Sequence, residues 1–335
     1  MWVSAPQANL RDKLVTLYNK TGLLHNAEKV EVLEKQKRFV RIRSAAGVEG
    51  WVEQRYLVGA DVFEGFQKLA VGAAGLPGEG HAATRASLNM HLTPVRDAAV
   101  LYQLKEGDKV EILKRAVAEK SQPGTRRPAG VPAPVKTAAG AGAKLTPAAA
   151  TLRSGLPERQ PAGSPPPVLE DWWLVRDSGG HAGWVLGRML DLEVPLEIAQ
   201  YAEGQRIVGC FPLNEVADGD KKIPQYLTLI TEPHDGQPWD FDQVRVFTWN
   251  LKRHRYETGY RERKLSGMLP VKVGTQDFGK EGILPTFTIH TQDEDGQGSD
   301  RTYRLVGPIV RRVVAGTQPA ESAAPAARSP RRRRR

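Results

Sequence analysis

The sequence predicts an all-β chain: two small barrel-like units, then a β-sandwich-like domain. Three observations carry this. The chain matches itself, its apolar residues alternate with period two, and Gly-containing turns separate runs of strand length. The self-match is clearest between "AEKVEVLEK" (27–35) and "GDKVEILKR" (107–115), 80 positions apart. Upstream it extends without a gap, placing Asn9 on Asn89, Leu10 on Met90 and Leu24 on Leu104. Downstream, "RFVRIRSAAGVEGWVEQRYL" (38–57) meets "DWWLVRDSGGHAGWVLGRML" (171–190) at an offset of 133. The change of offset marks an insertion of 53 residues in the second copy.

Within the first copy, "KVEVL" sets Val30 and Val32 against Glu31, and "FVRIR" sets Val40 and Ile42 against Phe39, Arg41 and Arg43. "AAGVEGWVEQRYL" then supplies a turn, a short strand around Trp51 and a second turn into Tyr56 and Leu57. Four to five short strands in so short a unit leave a thin core, and Trp51 and Trp184 are the expected anchors. The first unit is expected over 1–58, a helical linker over 59–83 with its helix at 60–71, and the second unit over 84–192.

The insertion, expected over 116–168, is rich in Ala, Pro and Gly and reads as disordered, as does the tail 317–335. Lengthening a hairpin loop from about 4 to about 53 residues costs about 2 kcal/mol by loop-closure scaling, which an exposed loop tip tolerates. The net charge of +10 is confined to these two segments, each carrying +5. The remaining sequence is close to neutral, which argues against a folded nucleic-acid reader. The tail residues Arg331, Arg332, Arg333, Arg334 and Arg335 are the candidate contact to a polyanion.

The third domain is expected over 193–316. It opens on a short helix, "PLEIAQYA" (195–202), followed by strand-like runs at 206–211, 225–230, 243–250, 255–261, 286–290, 301–306 and 309–314. "VFTWNLKRHRYETGYRER" reads as a hairpin whose tip carries Lys252, Arg253, His254 and Arg255, a solvated tip in preference to an anion contact. Asp293, Asp295, Gly296 and Asp300 lack the further oxygens of a calcium loop and read as a polar turn.

Catalytic patterns are missing from the sequence. The single cysteine, Cys210, sits in the apolar run "RIVGCFPL" and reads as structural. The seven histidines show no metal-ligand spacing, and neither a phosphate loop nor G-x-S-x-G occurs. The expectation is a protein without enzymatic activity, metal or cofactor. No run reaches the length of a membrane span. No secretory leader precedes the first unit, which taken literally reads as cytoplasm or as a leader trimmed away.

The repeated motifs carry a resemblance. "NLR" (9–11), "AEKVEVL" (27–33), "FVRIR" (39–43), "GWV" (50–52) and "RYL" (55–57) occur in order. They return as "NMH" (89–91), "GDKVEIL" (107–113), "WWLVR" (172–176), "GWV" (183–185) and "RML" (188–190). The set resembles the bacterial SH3-like domain. The resemblance implies a tandem binding module of the cell envelope whose partner is peptidoglycan or a protein. Two alternatives remain: a cytoplasmic interaction protein whose Arg-rich tail contacts nucleic acid or acidic lipid, and a regulatory subunit of a separate enzyme. The candidate recognition residues are Phe39, Arg41, Arg43, Trp172 and Arg176, all placed by alternation opposite the core-facing positions. The competing reading has the same aromatics packing against a neighbouring element.

Overall fold

The computed structural model describes residues 1–15, 17–120, 167–293 and 295–313. Most of the predicted insertion, the predicted tail and the five terminal arginines lie outside the described residues.

The first unit comprises β1 (Trp2–Val3), β2 (Gln7–Arg11), β3 (Lys20–His25), β4 (Glu31–Gln36), β5 (Phe39–Arg43), β6 (Glu49–Glu53) and β7 (Leu57–Val58). Its main sheet runs β3-β2-β6-β5-β4, and β1 pairs with β7. Period-two alternation sends Ala8, Leu10, Leu24, Val40, Ile42 and Val52 into one core. Trp51 lies outside that core, on the outer face of β6, because Gly50 and Val52 hold the inward positions. The expected tryptophan anchor is therefore replaced by aliphatic packing.

Helix α1 (Ala60–Ala74) follows. Its apolar positions recur at helical spacing, so Phe63 stacks on Trp2 at 4.6 Å and Phe66 meets Tyr102 edge-on at 5.5 Å. The helix thereby joins the first unit to the second.

The second unit comprises β8 (Gly80–Thr84), β9 (Leu88–His91), β10 (Val100–Leu104), β11 (Lys109–Glu119), β12 (Leu169–Asp177), β13 (Ala182–Leu186) and β14 (Leu190–Leu192). Its sheet order, β10-β9-β13-β12-β11-β8-β14, matches the first unit strand for strand. The correspondence reaches irregular features. The register slips between Val32 and Glu34 in β4, and at the equivalent Ile112 and Lys114 in β11. Gly50 and Gly183 are equivalent too. A Cβ on Gly50 would lie 2.9 Å from the Leu10 side chain, and one on Gly183 2.7 Å from that of Met90. Only glycine lets β6 cross β2, or β13 cross β9, so closely.

The predicted start of the insertion needs correction. Residues 116–119 continue strand β11, with Ala116 opposite Trp172 and Ala118 opposite Glu170, both alanines buried. Alanine-rich composition resembled the segment that follows, but here small side chains fit beneath large neighbours.

After a helical turn, α2 (Leu196–Ala199), the chain forms β15 (Arg206–Asp218), β16 (Lys221–Thr231), β17 (Phe241–Asn250), β18 (Arg255–Asp277), β19 (Ile283–Gln292), β20 (Gly298–Val306) and β21 (Ile309–Arg312). These pair in chain order as one seven-stranded antiparallel meander. The β-sandwich-like expectation takes the form of this sheet curling, so that β15 approaches β18 and β19. Strand β18 is longer than its sequence suggested, because Lys264 and Gly267 sit where the register shifts and Pro270 follows. The basic tip between β17 and β18 is tied to acids: Arg253 and Arg255 each reach Glu257 at 3.1 Å, and the His254 ring lies in hydrogen-bond contact with Asp218 at 2.6 Å. The second polar turn is closed by Asp293, whose carboxylate accepts from the Gln297 backbone N–H at 2.7 Å.

An unbroken apolar core joins the second unit to the meander, from Trp173 and Val185 to Phe241, Val246 and Phe287. Beside it runs a polar seam. Arg115, 6% exposed, donates to Asp171 at 2.7 Å, to the Trp239 carbonyl at 2.7 Å and to Asp240 at 3.2 Å. Arg206 bridges Asp171 and Asp235. Glu79 closes the seam. It is 1% exposed, one carboxyl oxygen lies 3.4 Å from the Val271 N–H, and the other has no partner.

Burial pushes the Glu79 carboxyl up to about 7. Between its ordinary range and that value the folded chain holds a proton that the unfolded chain has released. Stability should therefore fall as pH rises from about 4.5 to about 7, by about 3 kcal/mol from this group. Glu79→Gln should flatten that slope and leave the variant more stable than the parent at pH 8. Denaturant titrations at several pH values test this, and identical slopes in the two proteins would contradict it.

Candidate recognition face of the first unit

The outer face of the first sheet is built by the same alternation that builds its core. With Leu10, Ile42 and Val52 inward, the outward positions fall to Arg11 on β2, Trp51 and Glu53 on β6, and Phe39, Arg41 and Arg43 on β5. Register then aligns Arg11, Trp51 and Arg41 across three strands in one row. Trp51 thus has an arginine opposite it on each neighbouring strand and is half-buried.

Around this row the charges are ordered. Arg41 and Arg43 reach Glu49 at 3.0 and 2.8 Å, and Arg43 also reaches Glu31 at 3.2 Å. Hydrogen bonding from Arg43 holds the Glu49 carboxyl below its ordinary value. Arg55 reaches Glu53 at 2.8 Å, with Arg11 at 3.5 Å from the same carboxylate. Arg11 also lies over the rings of Tyr18, at 4.2 Å, and Phe39, at 5.3 Å. These exposed ion pairs add little to stability, but they order the guanidiniums across this face.

The loop between β2 and β3 forms one wall. Its neck is closed by Asp12, which accepts from the Asn19 backbone and side chain at 2.8 and 3.0 Å. Above the neck Val15, Leu17 and Tyr18 face solvent, Leu17 at 90% exposure. Apolar side chains this open beside an aromatic and arginine row are what a binding surface offers.

The sequence-predicted residues divide. Arg41 and Arg43 lie exposed on this face as expected. Phe39 is on the same side but only 9% exposed, because Arg11 and Arg38 cover its ring. Trp172 occupies the register-equivalent slot in the second unit but is 1% exposed, beneath His91 at 5.3 Å. The expectation of an exposed Trp172 is corrected: the strand is covered on both faces, so alternation does not separate core from solvent there. Arg176 is partly buried, bonded to Glu111 at 2.6 Å and to the Ala73 carbonyl at 3.2 Å. It fastens helix α1 to the sheet. Arg11, Tyr18 and Trp51 are the members that sequence reasoning missed. The strand "EGWVE" carried the signal for Trp51, since Gly50 and Val52 share one parity.

Comparing the two units defines what is open. Leu113, Leu174 and Trp184 in the second unit are the register equivalents of Leu33, Arg41 and Trp51 in the first. In the second unit they form an apolar cluster under α1, packed with Leu69, Ala70, Ala73 and Leu76. In the first unit Leu33 and Arg41 are exposed, and Trp51 belongs to no buried cluster among the described residues.

Elsewhere, Cys210 is half-buried and burial pushes its thiol up to about 12, far from the range of a reactive thiolate. No helix among the described residues is long and apolar enough to cross a membrane. Residues 6–58 match the family model of the bacterial SH3 domain, a binding module. No curated protein matches the chain.

Proposed function

We propose that this chain is a non-catalytic binding and scaffold protein in which the bacterial SH3 domain at residues 6–58 grips a peptide or peptidoglycan strand at the cell envelope. The row formed by Arg11, Trp51 and Arg41 is the recognition face, with Tyr18 and Leu17 as its wall. One observation carries this reading. No element among the described residues covers, in the first unit, the face that helix α1 covers in the second, and Leu174 there is replaced by Arg41. An indole in one cross-strand row with two arginines offers stacking area and charged donors at small entropic cost.

On this reading the second unit is an SH3-like repeat that has given its equivalent face to internal packing. It serves as the bracket between the binding unit and the C-terminal meander. Recognition is single-sited in the tandem, not doubled across it.

The test is Trp51→Ala in the full chain, assayed for retention on purified peptidoglycan and on an immobilised peptide library. As a central hot spot, Trp51 should account for about 2 kcal/mol, roughly 30-fold in affinity. Trp184→Phe, which keeps the α1 contact, should leave binding unchanged. Unaltered retention of the Trp51 variant on both matrices would refute the assignment.

A further inference from the structure

A cleft of about 610 Å³ opens on the C-terminal meander, far in sequence from the SH3 domain. Arg261, Arg263 and Lys264 line it from β18, and Glu232 and Asp242 line it where β16 stops and β17 begins. Trp239, Gln243 and Leu265 also line it, as does a third acid, Glu203.

Several features show a built site and not a chance surface dent. Gln243 is buried, and its side-chain oxygen accepts from Nε of both Arg261 and Arg263 at 2.9 Å. Two guanidiniums are thus held at fixed orientation by one amide. Arg261 spends its remaining fork on Glu203 at 3.2 Å. Arg263 and Lys264 have no ion-pair partner among the described residues. They are offered to whatever enters.

The backbone beneath them is irregular in the same place. Gln243 pairs with Arg263 and Phe241 with Gly267, so Lys264, Leu265 and Ser266 bulge opposite Asp242. Lys264 adopts φ +60° and Glu203, across the cleft, φ +55°. Both are side chains with little freedom in that region. The bulge lifts the Lys264 side chain out of the ladder. The Trp239 indole N–H is buried without an acceptor.

A simple anion that approaches Arg263 and Lys264 also meets Glu203, Glu232 and Asp242 in the same lining. A simple cation meets the reverse. Burial also raises the Asp242 carboxyl above its ordinary value, a cost that a neighbouring ammonium would relieve. We propose that this cleft is a second binding site, for a zwitterionic ligand carrying both a carboxylate and an ammonium group, as the free ends of a short peptide do. The carboxylate takes the free fork of Arg263 with Lys264 beside it, and the ammonium lies between Asp242 and Glu232. The site stands independently of the recognition face on the first unit.

The experiment uses the full chain, nitrogen-labelled, titrated with triglycine, with the same peptide acetylated and amidated, and with inorganic phosphate. Triglycine should shift the Trp239 indole N–H and the Gln243 amide saturably at millimolar concentration, while the blocked peptide and phosphate should not. Arg263→Gln and Lys264→Asn should each weaken triglycine binding at least tenfold with the unfolding midpoint unchanged. The proposal is overturned if triglycine gives no saturable shift, if the blocked peptide or phosphate binds as well, or if both variants bind like the parent.

Discussion

Trp172→Ala should lower the stability of the second unit by about 3–5 kcal/mol, the range for removing a large buried aromatic. The indole is 1% exposed, lies between Ala116 and Leu186 on the neighbouring strands, and is capped by His91. Burial has also lowered the His91 imidazole, so the neutral ring is the form that packs there. Removing the indole opens a cavity in a region where Arg96 and Arg188 already hold the buried Glu170, so little can collapse into it. Urea denaturation followed by tryptophan fluorescence measures the effect. A loss below 1 kcal/mol would mean that Trp172 is an exposed residue after all.

Arg115→Ala should cost a comparable amount, about 3–5 kcal/mol, for a different reason. Buried ion pairs contribute little net stability when intact, but removing one partner leaves the others charged and unpaired. Here Arg115 stands between Asp171 and Asp240, both nearly enclosed, and also satisfies the Trp239 and Gln237 carbonyls; without it Asp171 keeps Arg206, but Asp240 loses its cation. Burial holds the Asp240 carboxyl above its ordinary value even with Arg115 beside it. The loss should therefore be smaller in acid, where Asp240 protonates. Because Arg115 belongs to β11 and Asp240 precedes β17, the variant should also loosen the second unit from the meander. Hydrogen exchange would register this as faster exchange at Leu269, whose N–H is held by Asp240 at 2.8 Å. Unchanged stability would show the seam to be a solvated surface network.

Much of this architecture is legible in the sequence because barrel strands covered on one side alternate. Leu10 and Met90, Leu24 and Leu104, and Val52 and Val185 are each buried at matched positions of the two units. The meander strands are legible too, β18 only up to Arg261. Beyond it the bulge at Lys264, then Gly267 and Pro270, resemble breakers, though they bend one strand. The tryptophans were harder. Side-chain size suggested that Trp51 anchors the core, whereas its parity with Glu49 and Glu53 places it outside. Trp172 misleads in the opposite sense, since the inner face of β12 packs in the core while its outer face is covered by α1 over Leu174 and by His91 over Trp172, a tertiary fact without period. The cleft on the meander could not be read at all. Glu203, Trp239 and Arg263 meet only after three strand pairings.

On the proposed function, the first unit keeps a recognition face that is open among the described residues, and the second has closed its equivalent under α1. The most direct measurement follows the indole N–H signals of the full, nitrogen-labelled chain during titration with soluble peptidoglycan fragments and with library peptides that the chain retains. The Trp51 indole should shift saturably, with the Arg11 and Arg41 amides moving alongside it, while the Trp184 indole stays in place under α1. A ligand that moves Trp184 and leaves Trp51 unchanged would contradict it.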